Sequence, residues 1–308
     1  MDFSIDSMEV IMKLVKKLLA IVFSIILICN FEINTLAIDQ DTEIYSDNVT
    51  TTSYMPITTL SGDITIENCS DYGANANQRD IIGEENLTLV EDMSVLPYVA
   101  IARIESDYAC SCDNDIGTGF MISEKCMLTA AHTIACKRHN NKPDSVTVFF
   151  GYDLINGTCL LQTTVSANDG EFYFCPNYTG TEKEYDYGYI VFPNNLGNVT
   201  GWIAIGSRAN SVLNNMTVNV TGYSDGFFYD GEGEITSVTA TRIRYDTDTQ
   251  DGQSGAPVYY YDSSYGYEVA VGIHTHGPSG LVRKNSGWRI TADFIHELAD
   301  LGYVTLAE

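Results

Sequence analysis

From Asp80 to the C-terminus, apolar and β-branched residues come in short runs of four to six, bounded by Gly, Asn, Asp, Ser and Pro. Val99 to Ile104, Gly119 to Ile122, Met127 to Ala130 and Ser145 to Phe150 are the first four. Tyr189 to Phe192, Met216 to Val220, Ile235 to Ala240, Pro257 to Tyr261 and Val269 to Ile273 follow. Runs this short cannot make packed helices, and they do not alternate with helical periodicity. Many short strands at regular spacing build an all-β barrel or sandwich rather than βαβ units. The 20 Tyr suit half-buried strand positions. One helix is expected at the end. Thr291 caps it, Phe294, Ile295, Leu298 and Leu301 form its apolar face, and Gly302 ends it.

The chain has 308 residues, enough for a sizeable core, with 16 Lys+Arg against 41 Asp+Glu and a net charge of −25. That balance excludes nucleic acid as a partner, because phosphate contacts need clustered cations. It fits an acidic, solvated surface. Lys13, Lys16 and Lys17 precede an apolar run from Leu18 to Cys29, and Thr35-Leu36-Ala37 supplies small residues after it. This pattern is a secretory signal over 1–37, too short in its apolar part for a stable membrane anchor. A polar stretch, 38–79, reads as a propeptide. The domain proper is 80–308, secreted and extracellular. Cys29 leaves with the signal and Cys69 lies in the pro-segment. Cys110, Cys112, Cys126, Cys136, Cys159 and Cys175 remain, an even set that suggests disulfides of unspecified pairing. Cys110, Cys112, Cys126 and Cys136 do not follow a standard zinc spacing. No metal and no other cofactor is expected.

Two stretches carry chemistry. Thr129-Ala130-Ala131-His132 places a histidine after a small-residue strand end. Asp251-Gly252-Gln253-Ser254-Gly255-Ala256-Pro257 places a serine between glycines. The N–H groups of Gly252 and Ser254 could point at one oxygen, as an oxyanion hole requires. A serine needs a base, and the base needs an orienting acid. Asp186, at the mouth of the apolar run that follows Tyr187-Gly188, supplies it. Each residue has an ordinary reading by itself: a core histidine, a strand-end aspartate, a turn serine. Their order, His132, Asp186, Ser254, is that of chymotrypsin-type enzymes. The α/β-hydrolase order is different, and its Gly-x-Ser-x-Gly elbow fails here at Ala256.

From about Ile81 onward the chain resembles the glutamyl endopeptidase family of secreted bacterial trypsin-like serine proteases. The resemblance rests on Ile81-Ile82-Gly83, Thr129 to His132, Asp186-Tyr187-Gly188, Thr249 with Gly252 to Gly255, Gly272-Ile273-His274, and Asn285-Ser286-Gly287 leading to Arg289-Ile290-Thr291. It implies two packed antiparallel six-stranded β-barrels, chymotrypsin-like, with the triad in the cleft between them and a C-terminal helix. It implies protein or peptide substrates, cleavage after Glu and less so Asp, and a monomer. It also implies that His274 and the Thr249 hydroxyl bind the substrate carboxylate, with the mature α-amino group nearby. His276 is expected to point the other way. Asp251, Ala256 and the cysteines around the histidine depart from the pattern.

Two alternatives stay open. Asp248, six residues before Ser254, stands where trypsin-like enzymes place the acid that binds Lys or Arg. Residue 253, however, is Gln, not the acid that would pair with a new N-terminus in such enzymes. A non-catalytic pseudo-protease that only binds is the other. The activation cut is placed after Arg79 or after Asp80.

Overall fold

The computed structural model describes residues 48–53, 67–68, 79–80, 82, 86–110, 115–154, 156–278 and 283–307. The signal segment, Cys69, Cys112, Ile81 and Gly83 lie outside the described residues.

The N-terminal half contributes seven strands: β1 (Ile101–Asp107), β2 (Asp115–Met121), β3 (Cys126–Thr129), β4 (Ser145–Phe150), β5 (Leu161–Ser166), β6 (Glu171–Phe174) and β7 (Gly188–Val191). They form one antiparallel sheet in the order β5-β4-β1-β2-β3-β7-β6. Ile101, Ile104, Phe120, Leu128, Val148, Phe150 and Ile190 are buried in its core. Arg103 also lies inside. It pairs with Glu105 and sits 5.0 Å from the Tyr152 ring centroid, so the buried cation has both an anion and a π face.

The C-terminal half contributes β8 (Ala204–Ser207), β9 (Thr217–Ser224), β10 (Phe227–Val238), β11 (Arg242–Tyr245), β12 (Thr249–Gln250), β13 (Pro257–Asp262), β14 (Tyr267–His276) and β15 (Asn285–Arg289). Six of these close on themselves in the order β14-β13-β9-β10-β11-β15 and back to β14. Val218, Val220, Ile235, Ile243, Tyr245, Val258 and Val271 fill the barrel. Closure removes free edges, which suits a sheet built from short strands. The all-β architecture expected from the sequence is present. The C-terminal half closes into a six-strand barrel, and the N-terminal half is an open-ended curl of seven strands.

The terminal helix runs from Ala292 to Asp300. The Thr291 hydroxyl accepts from Phe294 N at 3.3 Å. Gly302, at φ +75°, donates to Ala299 O, and Tyr303 N donates to Leu298 O. Those two bonds make the Schellman ending that glycine permits. Phe294, Ile295 and Leu298 are buried as expected, but Leu301 is half exposed, because it caps the helix and does not continue its apolar stripe.

Parts of the stretch expected to be a propeptide are built into the sheets. Val49–Thr50 adds an edge strand to β8, and the Arg208 guanidinium donates to Thr50 Oγ1 at 2.7 Å. Arg79–Asp80 pairs with β12. Glu67–Asn68 pairs with Thr158–Cys159. Among the described residues, no helix is long and apolar enough to cross a membrane.

Candidate active site

β3 and β7 are neighbours, with Gly188 opposite Thr129. The register therefore sets the residues just before Gly188 beside those just after Thr129. Ala130 and Ala131 are small enough to let the chain turn at once into α1 (Ala131–Ile134), which carries His132. Asp186 follows a single 3₁₀ turn, Lys183–Tyr185. Its carboxylate, fully buried, accepts twice from His132: the backbone N–H at 3.0 Å and the ring Nδ1 at 2.8 Å. An acceptor on Nδ1 holds the proton there and leaves Nε2 able to take one. Burial alone would lower the His132 pKa, but attraction to Asp186 outweighs it and sets the imidazole above its ordinary value. Burial would likewise raise Asp186, yet His132, their hydrogen bond and His276 together hold it below the usual carboxylate range. Below Asp186 the two halves are riveted by aromatic stacking: Tyr187 lies 3.9 Å from Trp288 on β15, and both meet Phe294 of the terminal helix.

Ser254 sits in the turn between β12 and β13. Its carbonyl accepts from Thr118 N at 2.7 Å, and the Thr118 hydroxyl donates to Gly252 O at 2.9 Å. These bonds tie the serine turn to β2, beside the segment that bears His132. Gly255 has φ +92°, and a Cβ there would lie 3.1 Å from Ala130 N, so the turn packs directly on the backbone before His132. Gly252 has φ +97°, a conformation glycine adopts without strain. The buried Gln253 side chain accepts from Gln250 N at 2.7 Å, bracing the turn from inside. Among the described residues, the N–H groups of Gly252 and Ser254 have no acceptor.

His274 lies on β14 and is buried. Its Nδ1 is 2.6 Å from the hydroxyl of Tyr245, a residue that the sequence reading did not single out. Burial, with repulsion from His276 and His132, pushes His274 down to about 3, so it is neutral at physiological pH. Burial holds the Tyr245 hydroxyl well above its ordinary value. Thr249 is fully buried, and its hydroxyl has no partner among the described residues. His276 turns out to face the triad. Its Nδ1 is 3.6 Å from Asp186 Oδ2, contrary to the expectation that it would point away. A register shift between His274 and His276 breaks the regular strand there and re-aims the side chain. Lys183 and Arg242 lie near enough to repel its charged form, and Arg244 stands near Lys183. Each arginine lowers Lys183 by repulsion after the larger effect of burial.

Asp248 is engaged elsewhere. It is fully buried, and its two oxygens accept from the Ile82 and Asn86 backbone N–H groups, the latter at 2.8 Å. These bonds hold the Asp248 carboxylate against the segment from Ile82 to Asn86.

No disulfide joins the described cysteines. Cys126 is buried in β3, where its surroundings push the thiol pKa up. Cys110 and Cys136 bring their sulfurs to 3.3 Å of each other, beyond the roughly 2.05 Å of a disulfide.

No protein-family model matches the chain. A glutamyl endopeptidase of Bacillus licheniformis is 30% identical over 230 residues, which span 72% of this chain and 69% of that protein. An extracellular metalloprotease of Bacillus subtilis is 28% identical over 223 residues, 71% of this chain and 68% of that one. A solved structure of a Glu endopeptidase superposes with a TM-score of 0.57 at 22% identity, covering 72% of this chain and 99% of its own.

Proposed function

The chain belongs to the glutamyl endopeptidase family, and with it to the peptidases, and from that premise we propose that it is a secreted serine endopeptidase cutting after Glu and, less well, after Asp. The observation that carries the serine mechanism is the double acceptance of His132 by one buried aspartate, with the Ser254 turn packed on the same segment. Ser254 Oγ attacks the peptide carbonyl carbon while His132 Nε2 takes its proton. The oxyanion is received by the Gly252 and Ser254 N–H groups. His132 then gives the proton to the leaving amine, and water repeats the cycle to release the acid. His132, Asp186, Ser254 and Gly252 are all present in the sequence, which argues against the pseudo-protease reading.

The specificity follows from what surrounds His274. A glutamate side chain entering a closed pocket needs donors, since an unpaired buried carboxylate is costly. Tyr245, which stays protonated, donates to His274 Nδ1 and leaves the neutral ring its Nε2–H for the substrate. The partnerless Thr249 hydroxyl is the second donor. Lys183, Arg242 and Arg244 add a cationic surround in a protein of net charge −25. Aspartate, one methylene shorter, reaches these donors less well.

The domain boundaries belong to this reading. Segment 1–37 is the secretory signal and 38–79 the propeptide, with the mature start at Asp80 or Ile81. The Ile82 N–H donates to Asp248, and this bond supports docking of that start beside the serine turn.

The test is kcat/KM on matched peptides with Glu, Asp, Lys or Leu before the scissile bond. Glu should lead. His274→Ala should cost about 10- to 100-fold on Glu, the loss of a charged hydrogen bond, and little on Leu. A preference for Lys that vanishes with Asp248→Ala would overturn this reading in favour of trypsin-like cleavage.

A further inference from the structure

We infer that Cys110, Cys136 and His139 form a zinc site that fastens the segment bearing His132. The three ligand atoms lie within 4.8 Å of one another. Cys136 Sγ is 3.6 Å from His139 Nδ1 and 3.3 Å from Cys110 Sγ. Bond lengths of about 2.3 Å to sulfur and about 2.0–2.1 Å to nitrogen place tetrahedral ligands roughly 3.5–3.8 Å apart. The Cys136–His139 edge already has this length, the Cys110–Cys136 edge needs only a small opening, and the Cys110–His139 edge lies within 4.8 Å.

The loop is shaped for the task. Cys136 and His139 are three residues apart on one tight turn, in which Asn140 N donates to Cys136 O at 2.7 Å and Cys136 N donates to Asn141 O at 2.9 Å. Asn140 takes the left-handed φ of +54° that closes it. Its side chain is pinned in turn, donating to Tyr178 O at 2.7 Å. Cys110 arrives from the chain just beyond β1. Cys136 is buried, Cys110 half-buried and His139 exposed, so the group is open to solvent on one side. Sequence spacing alone missed the site because it grouped Cys126, which β3 buries, and omitted His139.

The imidazole supplies a third ligand that a disulfide would leave unused. A disulfide would use both sulfurs, need a two-electron oxidant, and have no role for His139. Zinc uses all three groups without any redox change. Both thiols enter as thiolates, their two protons pass to solvent, and the two negative charges balance the ion. Cys136 lies four residues after His132, and Ser106 Oγ on β1 already donates to Thr133 O at 2.6 Å. Zinc adds a second tie between the end of β1 and the segment that positions the catalytic imidazole.

The test measures metal directly and does not depend on proteolysis. The full-length chain with Ser254→Ala, which removes self-digestion, is reconstituted with equimolar zinc chloride, desalted, and assayed by elemental analysis and by zinc transfer to a chromogenic chelator. One zinc per chain is expected, with both thiols protected from a thiol reagent until EDTA is added. His139→Ala, an exposed change that leaves the core intact, should weaken zinc retention at least tenfold. Cys136→Ser should abolish it. No stoichiometric zinc, retention unaffected by His139→Ala, or a Cys110–Cys136 disulfide in the non-reduced peptide map of the native protein would each overturn the inference.

Discussion

Replacing Asp186 with Asn probes the orienting acid with the least change of shape. The carboxylate accepts from both His132 N and His132 Nδ1. An amide has one acceptor oxygen, so its NH₂ must face one of those two nitrogens. If the backbone keeps the oxygen, the NH₂ meets Nδ1 and drives the ring proton to Nε2, the atom that must receive the Ser254 proton. The base is then in the wrong tautomer. Related chemistry loses about 10⁴-fold in kcat from this change, equivalent to ~5.5 kcal/mol of barrier. The pH profile supplies an independent readout. His132 sits above its ordinary value of 6.5 because Asp186 overcomes the opposing effect of burial. Since only neutral His132 is a base, kcat/KM in the parent should rise with pH through a midpoint above 6.5. Without the charge, burial loses its main opponent, and the midpoint should move to lower pH as the plateau falls. Stopped assays on a Glu peptide from pH 4 to 9 give both numbers. An Asn variant within tenfold of the parent, or an unmoved midpoint, would refute the reasoning.

Gly252→Ala should cut kcat by about 10²- to 10³-fold, the scale of a lost oxyanion donor. Its Cβ would fall 2.8 Å from Tyr223 O at a φ of +97°, forcing the turn to shift; a normal kcat in steady-state assays would remove Gly252 from the oxyanion hole. Tyr245→Phe removes the hydroxyl at His274 Nδ1 and should lower kcat/KM on Glu peptides about 3- to 10-fold, the scale of one hydrogen bond, with Leu peptides unchanged. His274 is held down to about 3, so the ratio of Glu to Leu cleavage should stay flat from pH 6 to 8; a ratio that follows an imidazole titration would contradict a neutral His274. N-terminal sequencing of the active enzyme should read Asp80 or Ile81. If residues 48–53 leave on activation, Trp202 Nε1 loses its 3.0 Å bond to Thr52 O, and tryptophan emission should shift during processing.

The chemistry-bearing motifs were more legible in the sequence than the strands around them. Ser145–Phe150 is a strand as read, because apolar residues with strong β preference fill it. Asn285–Arg289 was not read as a strand, since Asn-Ser-Gly-Trp-Arg has one apolar side chain. It is a strand because β11 and β14 flank it and supply its backbone partners. Leu161–Ser166 gives little signal for a similar reason: Gln162 and Thr163 are only partly buried and Thr164 is exposed at the sheet edge, so no apolar alternation marks them. His132 and Ser254 stand out because small residues or glycines precede them, and Asp186 because it lies at the mouth of the apolar run that follows Tyr187-Gly188. Tyr245 and His139 gave none. One depends on the closure of a barrel and the other on a loop folding back on itself, and both are tertiary facts. Val49–Thr50 gives no strand signal within its polar surroundings, yet the backbone edge of β8 recruits it without an apolar run.

The most direct measurement is covalent labelling of the processed protein with a fluorophosphonate, followed by peptide mapping of the adduct. A serine hydroxyl reacts only where a base and an oxyanion hole activate it. One adduct per chain on Ser254 is predicted, lost in His132→Ala and strongly slowed in Asp186→Asn. An adduct on another serine, or Ser254 labelling that persists undiminished in His132→Ala, would contradict the account.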